Sequence, residues 1–146
     1  MAQPARILIV EDNPDDEELL IRQLRKAELA EHVKIIHDGR KALDYLSDAS
    51  NLPETLSAIF LDLKLPRLSG LKVLEAIRAN ERTESIPVIV MTSSNSPQEL
   101  EICRVLGVSC FVSKPLVLSS FAKAFADVFH ARRSVSTSSS AAIEAP

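Results

Sequence analysis

Apolar residues along this chain fall into two alternating patterns. Short continuous runs, rich in β-branched residues, occur as "RILIV" (6–10), "HVKIIH" (32–37), "SAIFLDL" (57–63), "IPVIVMT" (86–92) and "SCFVSK" (109–114), and predict five strands. Between them the apolar positions recur at helical spacing. The stretch 14–29 opens with Pro14 at a helix start and carries Leu20, Leu24 and Ala27 on one face, while 39–48 carries Ala42, Leu43 and Leu46. The stretch 70–81 carries Val73, Leu74 and Ile77, and 96–107 opens with Ser-Pro and stops at Gly107. A last helical stretch, 118–133, carries Phe121, Phe125, Val128 and Phe129.

Strands that alternate with helices predict an α/β fold: a parallel sheet covered on both faces, with right-handed crossovers. The segment 47–57, "SDASNLPETLS", reads as a long surface connection before the third strand. From 132 onward periodicity gives way to Ser and Ala, which predicts one folded domain over 1–131 and a disordered tail over 132–146.

Composition removes several classes of function. A net charge of −3, no Trp and no basic run leave no electrostatic or stacking footprint for nucleic acid. No segment approaches membrane-spanning length and the start lacks a signal-peptide core, so a cytoplasmic protein with no membrane partner is expected. Cys103 and Cys110 sit in apolar surroundings outside any metal-ligand spacing and read as packed free thiols.

In a sheet of this kind chemistry collects outside the carboxyl ends of the strands. Those ends carry Glu11 and Asp12 after the first strand, Asp62 at the third, Thr92 and Ser93 after the fourth, and Lys114 after the fifth. A carboxylate ending a buried strand is expensive unless it is paired or bound to metal. Three carboxylates at one edge repel one another, and Mg²⁺ suits such a sparse set while leaving positions for water or phosphate oxygen. The Lys114 ammonium and the Thr92 hydroxyl are the groups needed to hold a phosphoryl group, and Asp62, between them, is the candidate nucleophile.

At these residues the chain resembles the receiver domain of two-component response regulators, over about residues 5–131. The resemblance rests on "LIVEDNP", on "LDLKLPRLSG" with Pro66 and Gly70 placed after Asp62, on the hydroxyl in "VIVMTSS", and on "FVSKP". It implies a flavodoxin-like, doubly wound sheet of five strands in the order 2-1-3-4-5. It implies that Asp62 accepts a phosphoryl group from a sensor histidine kinase, that Lys114 contacts the phosphate, and that Mg²⁺ is held by Glu11, Asp12, Asp62 and the Lys64 backbone carbonyl. Thr92 then moves toward the phosphate while Phe111 turns inward, reshaping the face made by the fourth helix, fifth strand and fifth helix. By the same resemblance the bond before Pro115 is cis, and Lys64 and Ser94 influence the phosphoryl lifetime. The opening "EDNPDDEELL" and the long connection before the third strand resemble single-domain regulators that serve phytochrome kinases. That likeness implies a red-light-sensing kinase as partner and a homodimer through the same face.

Each residue also has a plainer explanation: Asp12 as a helix-start acid favoured by the dipole, Thr92 as a cap, Lys114 as a solvated turn residue, Phe111 as a core aromatic. Their convergence on one edge favours the functional set. A flavodoxin would need an anion-binding loop after the first strand, and "EDNPDD" repels anions; a haloacid-type phosphatase would need an acid where Lys64 stands. The reading is of a signalling protein that catalyses only its own phosphorylation and dephosphorylation, with no output domain recognisable. A phosphate sink, a relay intermediate and a phosphorylation-independent docking module stay open as alternatives.

Overall fold

The five apolar runs pair as one parallel sheet in a computed structural model that describes residues 6–28, 30–93, 96–114 and 116. The strands are β1 (Ile7–Val10), β2 (Val33–Ile36), β3 (Ala58–Asp62), β4 (Val88–Thr92) and β5 (Cys110–Ser113), in the order β2-β1-β3-β4-β5. Among the described residues four α-helices cross between them: α1 (Pro14–Lys26), α2 (Gly39–Ser47), α3 (Gly70–Ala79) and α4 (Pro97–Val105). The expected α/β architecture and strand order are those observed.

Alternation along the central strands divides the core into two layers. Leu8, Val10, Ile59, Leu61, Val88 and Val90 face α2, α3 and Cys103 of α4, while Ile7, Ile9, Phe60, Ile89 and Met91 pack with Leu20 and Leu24 of α1. Strands β1, β3 and β4 are buried at every position, whereas β2 and β5, at the sheet edges, are only partly covered. Burying one such aliphatic or aromatic side chain contributes about 1.5–3 kcal/mol, so the three central strands anchor the carboxyl edge firmly.

The helix starts are set by side-chain caps. Asn13, Asp38, Ser69 and Ser96 each accept a backbone N–H from the first turn of the following helix. Helix α1 ends at Lys26, so Ala27 is an exposed C-cap rather than a member of the buried face expected of it. The segment 47–57 also departs from a plain surface connection. It winds through two short 3₁₀ turns, Ala49–Asn51 and Pro53–Thr55, buries Pro53 and sets Leu56 into the α2 and α3 layer. Leu29, Ser94, the isomer at Pro115, the last helical stretch and the tail lie outside the described residues.

Candidate functional site

Strand register aligns the chemically active residues. Val10 pairs with Leu61, Asp62 with Met91, and Thr92 with Ser113, so Glu11, Asp62, Thr92 and Lys114 follow one another along the carboxyl edge. Backbone bonds carry the ladder one step past the strand ends. The Glu11 N–H donates to Ile36 O at 3.0 Å and the Lys114 N–H to Thr92 O at 2.9 Å. Those bonds fix the direction in which both side chains leave the sheet.

The Lys114 ammonium is the electrostatic centre. Its Nζ lies 2.9 Å from Glu11 Oε1, 3.0 Å from Asp16 Oδ2 and 3.0 Å from Asp62 Oδ2. Burial by itself would lower the lysine's pKa, but Glu11, Asp16 and Asp62 outweigh it and hold the ammonium above its ordinary value. Glu11 responds the other way. Burial pushes its carboxyl up to about 7; the Lys114 ammonium and the Asn13 N–H oppose that rise, and the Asp62 carboxylate adds to it. Asp62 is held at both oxygens: the Lys64 N–H donates to Oδ1 at 3.0 Å and Lys114 Nζ to Oδ2 at 3.0 Å.

The loop after Asp62 is seated on glycines. The Gly39 N–H bonds Pro66 O at 3.4 Å and the Gly70 N–H bonds Leu63 O at 2.9 Å. The loop backbone thereby lies against the start of α2 and α3, closer than a side chain at either glycine would permit. Asp38, which caps α2, also lies 3.9 Å from Arg67 of this loop.

A hard divalent cation suits the acidic pocket. Glu11, Asp12 and Asp62 each offer a carboxylate oxygen, all within 4.8 Å of one another. Glu11 is fully buried, and the Lys114 ammonium is the charge that faces its Oε1, at 2.9 Å, among the described residues. A carboxylate so deeply buried is costly unless opposite charge offsets it, and a cation would add to the offset that Lys114 supplies.

The structure brings Glu11, Asp12, Asp62 and Lys114 together and sets Thr92, 4% exposed, at the end of β4 beside them. The Lys64 N–H serves Asp62 while its side chain is exposed. Phe111 is 41% exposed, so the plain reading of a core aromatic is corrected: edge strand β5 turns it outward and Val112 inward. Asp16 was not among the expected residues. Its signal was present, because positions 16, 20 and 24 share one helix face and Leu20 and Leu24 are buried; an acid on that stripe points at the sheet. Cys103 is buried and Cys110 half-buried, and the two are not joined by a disulfide.

Comparison with known proteins agrees with this geometry. The response regulator receiver domain family matches residues 7–126. A probable methanogenesis regulatory protein, FilR2 of Methanothrix harundinacea, is 35% identical over 117 residues, spanning 77% of this chain and 74% of that relative. The solved bacteriophytochrome response regulator AtBRR is 39% identical with a TM-score of 0.70, covering 88% of this chain and 94% of the other. The Mn²⁺-bound form of response regulator Rcp1 is 28% identical with a TM-score of 0.71, covering 86% and 94%. Among the described residues no helix is long and apolar enough to cross a membrane.

Proposed function

The chain belongs to the response regulator receiver domain family, and on that premise we propose that Asp62 accepts a phosphoryl group from a phosphohistidine of a sensor histidine kinase. The observation that carries this reading is the meeting of Asp62 with Lys114 and the Glu11–Asp12 pair at one sheet edge. An Asp62 oxygen attacks phosphorus in line as the N–P bond breaks, and the departing histidine nitrogen keeps the electron pair. The Lys64 N–H and the Lys114 ammonium orient the attacking carboxylate. Once the phosphoryl group is in place, the same ammonium faces its oxygens.

Glu11, Asp12, Asp62 and the Lys64 carbonyl are the residues that would hold Mg²⁺. When bound, the cation supplies charge neutralisation for the transferring group. The Thr92 hydroxyl and the outward ring of Phe111 form the switch, and Phe111 turning inward changes the face that edge strand β5 makes with α4. That surface is the proposed docking and homodimer face, a population shift read by a partner. The likeness to AtBRR supports a phytochrome-type kinase as the phosphoryl donor to Asp62.

The test is intact mass after incubation with Mg²⁺ and acetyl phosphate. One phosphoryl group on the unsubstituted chain, absent in Asp62→Asn and absent with chelator, is the expected result. No adduct together with no beryllofluoride binding would overturn the proposal and leave a receiver-shaped docking module.

A further inference from the structure

Lys114 touches two residues of the proposed cation site and one residue outside it. Glu11 and Asp62 belong to the triad whose oxygens lie within 4.8 Å of one another; Asp16, whose Oδ2 is 3.0 Å from Lys114 Nζ, does not. The conflict is physical. A divalent cation taking Glu11 and Asp62 competes with the ammonium for the same carboxylates and repels it as well. A lysine with no other anion nearby would either exclude the cation or be expelled from the pocket.

Asp16 is built to resolve that conflict. It stands in the first turn of α1, where Asn13 Oδ1 accepts the N–H groups of both Asp15 at 2.8 Å and Asp16 at 3.2 Å, so its backbone is pinned beside the pocket. One and two turns on, Leu20 and Leu24 anchor the same helix face in the core. The carboxylate is mostly covered, its side chain 18% exposed, which limits screening by solvent.

We infer that Asp16 is a positioning residue for Lys114, retaining the ammonium at the pocket wall so that a divalent cation can occupy Glu11 and Asp62 without losing the lysine. The inference rests on the reading of this pocket as a phosphoryl-accepting metal site. Asp16 carries the ammonium in the metal-loaded state, ready to face an incoming phosphoryl group. Without it Lys114 falls back on Glu11 and Asp62 and opposes the cation.

A double-mutant cycle on Mg²⁺ affinity tests this, read by calorimetry rather than by phosphoryl transfer. Asp16→Asn, nearly isosteric and on a capped helix turn, is expected to raise the Mg²⁺ dissociation constant about threefold or more. In a Lys114→Gln background the same change is expected to have less than about half that effect on a logarithmic scale, because the residue acts through the lysine. An equal effect in both backgrounds would reduce Asp16 to a nearby negative charge and overturn the inference, as would no effect in the parent chain. Asp16→Glu, which keeps the carboxylate, is expected to restore most of the affinity; failure of that rescue with the fold intact by circular dichroism also counts against the inference. Absence of saturable Mg²⁺ binding by the unsubstituted chain would overturn the metal-site reading itself, an outcome separate from the others.

Discussion

A Cβ placed on Gly70 would stand 2.2 Å from the carbonyl oxygen of Asp62 and 2.5 Å from the Cα of Leu63. The start of α3 and the end of β3 are therefore in backbone contact, and the residue that opens the helix also sets where the acidic strand end lies. Real Cβ atoms do not approach backbone so closely, so Gly70→Ala must push the Asp62 loop or the helix aside. The expected cost is about 2–3 kcal/mol by urea unfolding, with slower modification of Asp62 by acetyl phosphate. Unchanged stability and rate would mean that the loop yields freely.

Lys114 offsets three carboxylates at once, at 2.9 to 3.0 Å. Replacing it with Gln leaves them repelling one another in a partly buried site. Breaking a buried pair costs about 3–5 kcal/mol; with the lysine side chain 15% exposed, a loss of about 2–3 kcal/mol is expected in the presence of chelator. Saturating Mg²⁺ should recover much of that loss. Equal unfolding midpoints with chelator and with Mg²⁺ would count against a cation at these acids.

Glu11 sets a pH dependence. Burial holds its carboxyl at about 7 in the folded chain against an ordinary value of 4.5. A raised carboxyl favours the protonated folded state, so this contribution to stability is complete below about 4.5 and is lost as pH rises through about 7. Cation binding needs the carboxylate, and proton and cation compete for it. Mg²⁺ affinity is expected to fall by up to about tenfold per unit as pH drops below 7 and to level off above it. Glu11→Gln should flatten the profile, and calorimetric titrations between pH 5.5 and 8.5 check both curves.

Arg78 works at the opposite edge of the sheet. Its guanidinium donates to Leu106 O at 2.6 Å, Ile86 O at 2.8 Å, Glu84 O at 2.9 Å and Gly107 O at 3.1 Å, joining α3 to the connections that lead into β4 and β5. Lysine has the charge without the planar fork. Arg78→Lys is expected to cost about 2–3 kcal/mol in denaturant unfolding, while the folded fraction keeps the parent rate of Asp62 modification. A large change in that rate at unchanged stability would show that the brace reaches the site.

Local periodicity and proline-marked helix starts carried most of the architecture. The β-branched runs at 6–10 and 86–92, the helix starts at Pro14 and at Ser96-Pro97, and a carboxylate at the end of a buried strand are readable because each depends on neighbours a few residues away. The same locality explains the misplacement of Ala27. Helical spacing continues past Lys26, but the backbone turns there, and Glu28 adopts φ 60°.

By itself the sequence determined the alternation of elements, the faces they bury and the strand ends at which acids, hydroxyl and ammonium stand. Tertiary structure alone decided that Asp16 shares Lys114 with Asp62, that Leu56 joins the α2 and α3 layer, that Phe111 points outward, and that Arg78 ties three segments together. Periodicity records which side of an element avoids water. It does not record which distant group arrives there, and Lys114 reaches Asp62 across 52 residues of chain only because β4 lies between β3 and β5 in the sheet.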